Sequence, residues 1–310
     1  MPITFDAPVG GETPPVPELS DGGFELDGFA FGGENDSVVI QPGGFDPGTT
    51  DWRVQDQDSP NGDGVVFGRD LLAGRTWGFT FLTNEYTAGD ALDSLEAMAG
   101  LWQGSASRLV PGAVSILRYN IGGRTRRVYG RPRRWGVAVT PDLWGGVAPV
   151  VADFACVDAL HYDDELRTIN VGAVSLPAGG MAAPLSAPLS TVGGGARSGV
   201  VDTVGGTAPA PFIAFLHGPI TNPWIAGPGW RFDFLTTLAY DQSLTVDSRP
   251  WAKTILRQDG ASLAGTLTRT STALPDARLL PGSAEFTFGG IDGTGTATCS
   301  VSWRPTYRSL

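Results

Sequence analysis

Two cysteines, two histidines and a single lysine, Lys253, stand in 310 residues. Cys156 and Cys299 lie far apart and match no metal-ligand spacing, which argues against a disulfide framework or a thiolate metal centre; they read as buried free thiols. His161 and His217 are the only imidazoles and there is no Gly-x-Ser-x-Gly elbow, so groups poised for acid–base or nucleophilic chemistry are scarce. His161 follows Cys156 by five residues, but within one continuous strand that odd spacing sends the two side chains to opposite faces. No uncharged stretch approaches the roughly eighteen apolar residues of a membrane span. The opening residues, MPITFDAPVGGETPP, hold neither a basic nor an apolar signal-peptide region, and the expectation is a chain neither secreted that way nor membrane-spanning. Charged residues make up only 17% against 41% hydrophobic, and 44 glycines with 24 prolines promise many turns in a chain that still folds. The length suits one large β domain or two ordinary ones.

What charge there is lies unevenly. The net charge is −11, yet the first 70 residues carry fourteen Asp or Glu against Arg53 and Arg69, leaving the remainder near neutral. Within that remainder Arg118, Arg124, Arg126, Arg127, Arg131, Arg133 and Arg134 crowd into seventeen positions. A hairpin that alternates solvated arginines with core residues would look like this. So would a basic patch that meets an acidic one on another copy, the arrangement that head-to-tail self-association needs. Overall acidity and the lack of a reading module argue against sequence-specific nucleic-acid binding.

Periodicity favours strands nearly everywhere. Short β-branched or aromatic runs at Val65–Phe67, Thr76–Leu82, Ser115–Asn120, Arg134–Val139, Val150–Val157, Phe212–Leu216, Trp230–Leu235, Gln242–Val246 and Thr296–Trp303 are separated by Gly, Pro, Asn or Asp. One helix interrupts them, over about 90–102, with Leu92, Leu95, Met98 and Trp102 as its core stripe, Asp90 as its cap and Gly104 past its end. The expected fold is therefore all-β with one amphipathic helix. From Val171 to Gly206 the composition shifts to Gly, Ala, Pro, Ser and Val. That stretch reads equally as a flexible linker or as an irregular arm packed through Leu185, Leu189 and Val192. Two β-sandwich domains, 1–165 and 166–310, fit better than one.

Few constellations carry chemistry. The acidic loop DQDSPNGDG at 56–64 brings Asp56, Asp58 and Asn61 together, but its glycine is misplaced for an EF-hand, Pro60 occupies a ligand position and no Glu closes the site. It reads as a polar hairpin turn. Asp163, Asp164 and Glu165 are adjacent and read as a solvated turn; they do not form the separated carboxylate pair of a glycosidase. Trp224 and Trp230 flank the turn IAGPG and are candidates for a glycan-stacking platform, with core packing as the alternative. No cofactor, metal site or catalytic set is expected.

Several segments, taken in order, resemble the distal tail protein (Dit) of long-tailed bacteriophages and related minor tail proteins of actinobacterial phages. WRVQDQDSPNGDGVVFGRDLLAGRTWGFTF (52–81) looks like the family's early hairpin, with a strand introduced by Gly74, Arg75 and Thr76. ADFACVDALHYDDE (152–165) is similar to its closing strand, with Ala159 where proline is common. GGTAPAPFIAFLHGPITNPWI (205–225), with Gly218, Pro219, Asn222 and Pro223, resembles its carboxy-terminal opening, and LTVDSRPWAKTI (244–255) and VSWRPTYRSL (301–310) fit the same pattern.

The resemblance covers most of the chain and none of its motifs is catalytic. It implies a non-enzymatic structural protein of the virion: an N-terminal ring-forming sandwich, assembling as a homo-hexamer, and a galectin-like C-terminal sandwich projecting outward. It also implies contact with the tail-tube protein, the tail hub or tail-associated protein and the tape measure protein, at the tail tip of a siphophage particle assembled in the host cytoplasm. The seven arginines from Arg118 to Arg134 are then the expected inter-subunit or tube-facing surface. The rival readings are a carbohydrate-binding adhesion module working through Trp224 or Trp230, and another minor tail protein.

Overall fold

The computed structural model describes residues 18–34, 36–104, 106–175 and 199–310. The stretch 176–198, with Leu185, Leu189 and Val192, lies outside the described residues.

The first half builds eight strands of a nine-stranded sheet around a core of its own. β1 (Phe24–Leu26) and β2 (Phe29–Phe31) form a tight hairpin, and β3 (Val38–Asp46) follows. An excursion then carries β4 (Trp52–Arg53), β5 (Gln57–Asp58), β6 (Val65–Val66) and β7 (Leu71–Leu72), which pair only with one another, β4 with β7 and β5 with β6. After it come β8 (Thr76–Thr83), α1 (Ala88–Gly104), β9 (Ser115–Ile121), β10 (Arg124–Val137), β11 (Pro149–Cys156) and β12 (His161–Asp163). The strand order is β2-β1-β9-β10-β11-β8-β3, with β12 on β10. Strict alternation in β8 sends Trp77, Phe79 and Phe81 inward, where Phe79 meets Phe24 and Phe81 meets Phe31 edge-on at 5.4 and 5.2 Å.

Helix α1 lies on this core, and its register differs from the expected one. The buried positions are Ala91, Leu95, Met98 and Trp102, while Leu92 is 52% exposed. Thr87 caps the helix: its Oγ1 accepts from the Asp90 N–H and donates to the Asp90 carboxylate. Asp90 is thus the third helical position and not the cap, and the helix starts at Ala88.

The second half builds a ten-stranded sheet that folds into two layers. Its strands are β13 (Arg167–Ser175), β14 (Val200–Val204), β15 (Phe212–His217), β16 (Ile220–Gly227), β17 (Trp230–Asp233), β18 (Thr237–Leu238), β19 (Ser243–Asp247), β20 (Thr254–Arg257), β21 (Gly282–Ile291) and β22 (Thr298–Trp303). β13 joins the layers. Its first six residues pair antiparallel with β22 and its last three pair parallel with β21. Phe212 of one layer stacks on Trp230 of the other at 4.4 Å, and Trp303 on Phe286 at 5.6 Å.

The architecture is all-β with one long helix, and every run nominated from periodicity contains a strand. The last strand, β23 (Thr306–Tyr307), leaves the second core and pairs with β12 of the first.

Candidate assembly surface

β10 is long and its burial changes along its length, buried on both faces in the first half and exposed towards the end, so its arginines divide by position. Arg118 on β9 and Arg126 and Arg127 on β10 are buried, at 6–7% exposure; Arg131 is half-buried; Arg124, Arg133 and Arg134 are exposed. The buried ones are bound within their own chain. The Asp164 carboxylate accepts from Arg118 Nη2 at 2.7 Å and from Arg127 Nη2 at 2.6 Å, while Arg118 also pairs with Glu25. Arg126 lies 3.8 Å over the Tyr307 ring and donates to the Ser309 carbonyl at 2.6 Å. Arg131 donates to the carbonyls of Ala113 and Val110, both at 2.7 Å.

Two expectations are corrected here. A surface of seven arginines is not what the chain presents: internal carboxylates and carbonyls already hold Arg118, Arg126, Arg127 and Arg131, and the exposed set shrinks to Arg124, Arg133 and Arg134. Asp164 is not part of a solvated turn; burial tends to raise its pKa, but hydrogen bonds and charge from Arg118 and Arg127 outweigh that and hold it below the ordinary carboxylate value.

The acidic half contributes a second surface. The excursion between β3 and β8 exposes Trp52, Val54, Val65, Val66 and Phe67, the last at 84%. The loop expected as a polar turn is the tip of its β5–β6 hairpin, where Ser59 donates to the Gly64 carbonyl. Asp51, Asp56, Asp58, Asp63 and Asp70 accompany the apolar side chains, so this arm is both acidic and greasy. These uncovered apolar side chains are gathered on the one excursion between β3 and β8.

Behind β10, His161 is fully buried between Arg75 and Tyr119. Arginine has only donors, so His161 Nε2 must accept from Arg75, and Nδ1 carries the proton and donates to the Tyr119 hydroxyl oxygen at 2.5 Å. Burial, reinforced by the charges of Arg75 and Arg126, lowers the His161 pKa to about 3. Cys156 ends β11 and His161 begins β12, so the single-strand parity argument does not apply; both instead approach Arg75. Burial pushes the Cys156 thiol up to about 12, and a thiol so protonated is a poor nucleophile.

The two candidate platform tryptophans part company. Trp230 is buried on Phe212, which removes it from any glycan platform. Trp224 is half-buried, and the Arg231 guanidinium, itself paired with Asp233 at 2.7 Å, sits 4.2 Å over its ring. A sugar ring would have to displace that guanidinium. Asn222 has φ +50° at the bulge where β16 slips against β21. A pocket at the seam between the cores, lined by Tyr129, Tyr162, Trp251 and Trp303 among others, has room for about 30 Å³, enough for a water or two. Among the described residues no group of three or more His, Cys, Asp or Glu is placed to hold a metal, and no helix is long and apolar enough to cross a membrane.

No protein-family model matches the sequence, and no curated protein matches it. Solved structures do. The Dit protein of phage SPP1, described as a paradigm of the hub adsorption apparatus in phages that infect Gram-positive hosts, superposes with a TM-score of 0.56 at 14% identity, over 92% of this chain and 98% of its own. A chain of the phage P2 baseplate, in its activated conformation with Ca, gives a TM-score of 0.49 at 9% identity, over 90% and 97%. The chain therefore shares the fold of the SPP1 protein over 92% of its length.

Proposed function

We propose that this chain is a structural protein of a phage tail, a distal connector that forms a ring, hexameric by the family resemblance, between the tail tube and the hub of a long-tailed phage. The observation that carries the reading is the fold likeness to SPP1 Dit, covering nearly the whole of both chains. Residues 1–165 are then the ring-building domain and 166–310 an outward galectin-like domain, without enzymatic activity and located in the virion at the tail tip. Its partners would be further copies of itself, the tail-tube protein, the hub and the tape measure protein.

The mechanism is geometric. A ring needs a heterologous contact, one surface of each copy meeting a different surface of the next, repeated until it closes. The acidic apolar arm at 51–73 and the exposed Arg124, Arg133 and Arg134 supply two unlike, complementary surfaces on one chain. Burial of Phe67, Val65 and Val66 would supply affinity, while the opposite charges set register and encounter rate.

Light scattering over a concentration series, with negative-stain images of the same sample, tests the reading. A closed ring, alone or in stacked pairs, is the expected result, and Phe67→Asp with Val66→Asp should abolish it in a chain that stays folded. A strict monomer that neither closes by itself nor joins a ring when tail-tube protein is added would overturn it.

A further inference from the structure

Among the described residues the chain passes between the two cores twice, and the crossings lie side by side. The first is 164–166, between β12 and β13; the second is 304–305, between β22 and β23. The Asp163 N–H donates to the Pro305 carbonyl at 2.8 Å, and the Arg304 guanidinium donates to the Asp164 carbonyl, so the crossings are tied into a two-stranded ribbon. Arg118 and Arg127 grip the Asp164 side chain from the first sheet.

Past the second crossing, β23 is held on both sides. Thr306 pairs with Tyr162, and its carbonyl accepts from the N–H groups of Thr207 and Ala208 at 2.8 and 3.0 Å, so a two-residue strand bonds the first sheet and the segment leading into β15 together. Thr306 is fully buried. Gly206 makes room for it: at φ +94° it already requires glycine, and a Cβ there would collide with the Thr306 carbonyl. Beyond, Tyr307 lies under Arg126 and Ser309 accepts from it.

We infer that residues 304–310 are a latch, anchored by Asp164, that fixes the orientation of the second sandwich on the first. A single covalent crossing leaves rotation about its backbone bonds; a second crossing hydrogen-bonded to it removes both twist and bend. The latch is also the weakest part of the joint. It is small beside either sheet, with two paired residues, a few main-chain hydrogen bonds and one guanidinium–ring contact, so it opens at lower free energy than either core. Trp251, 4.3 Å from Tyr129 and 5.9 Å from Tyr162, would then still bridge the seam, as would the charge of Arg278 facing Asp158. The inference concerns one copy and does not depend on the assembly reading.

Three variants of the full chain test it: a stop after Pro305, Gly206→Ala, which keeps the segment but denies it its seat, and Tyr307→Ala, which keeps the strand and removes only the ring under Arg126. Near-ultraviolet circular dichroism reports the cores, trypsin cleavage at Arg167 reports the first crossing, and small-angle scattering reports the relative placement of the two halves. The truncated and Gly206→Ala chains should keep the wild-type spectrum, be cleaved at least tenfold faster and show a larger radius of gyration, with Tyr307→Ala between them and wild type. Unchanged cleavage and radius in folded variants would overturn the latch. So would loss of the near-ultraviolet spectrum in the truncated and Gly206→Ala chains, since the strand would then be part of the first core and not a closure on it.

Discussion

His161 illustrates how much one buried side chain controls. In an unfolded chain histidine titrates near 6.5; here its pKa is lowered to about 3. Between those values the unfolded state binds a proton that the folded state refuses, because a second N–H on the ring would face the Arg75 guanidinium. Stability from this group is therefore fully present above about pH 6.5 and declines as pH falls towards 3, a loss on the order of 3 kcal/mol by pH 4. His161→Gln keeps an acceptor for Arg75 and a donor for Tyr119 but takes up no proton. Its denaturation midpoint should fall less between pH 7 and pH 4 than that of wild type, and equal falls would refute the assignment. Asp164 acts in the same acid direction, since a depressed carboxylate loses its contribution as pH falls through its pKa, but it does so in both chains and cancels in the comparison. Replacing it by Asn leaves Arg118 and Arg127 buried with less charge to meet, and should cost about 3 kcal/mol in denaturant melts.

At the scale of elements, helix α1 and the arm differ in what holds them. The helix is pinned by Trp102, which contacts Phe31, Phe79, Phe81 and Phe154 and donates its indole N–H to the Arg134 carbonyl at 2.9 Å. Its register predicts an asymmetry: Leu95→Ala should cost about 2–4 kcal/mol, Leu92→Ala no more than about 0.5 kcal/mol, and Thr87→Ala about 1 kcal/mol through the lost cap. Comparable losses at Leu92 and Leu95 would contradict the observed face. The arm has no such anchor, since its strands pair only with each other. Substitutions at Phe67 should leave the thermal midpoint of the isolated chain unchanged and act on self-association alone.

On the scale of the whole molecule, charge is partitioned by burial. Reversing Arg126, Arg127 and Arg131 together, the substitution that the sequence nominates, would break bonds inside the joint and report on folding. Reversing Arg133 and Arg134 to Glu touches exposed side chains, so the monomer should stay folded while assembly weakens and the salt dependence of wild-type assembly is lost. Sedimentation of both chains at 50 and 300 mM salt reads this out, and identical salt profiles would remove the two arginines from the contact. The two cores share a covalent ribbon and a latch, so calorimetry of the truncated chain should resolve two transitions where wild type shows one.

The all-β character, the single helix and most strands were legible in the sequence, because periodicity of two or of three to four is a local property written into neighbouring residues. The arginine cluster was legible as a cluster and misread as a surface. Alternation told which residues share a face of β10, but not that Asp164, 37 to 46 positions away, would lie beneath that face and take up Arg118 and Arg127. Trp224 and Trp230 looked alike in sequence and were separated only when two layers closed over Trp230 and Arg231 folded onto Trp224. The joint left no local signal at all. Residues 304–310 and 161–164 meet because two cores, each formed by its own periodic pattern, place the end of one beside the edge of the other, and contacts across such sequence distances are decided by packing alone.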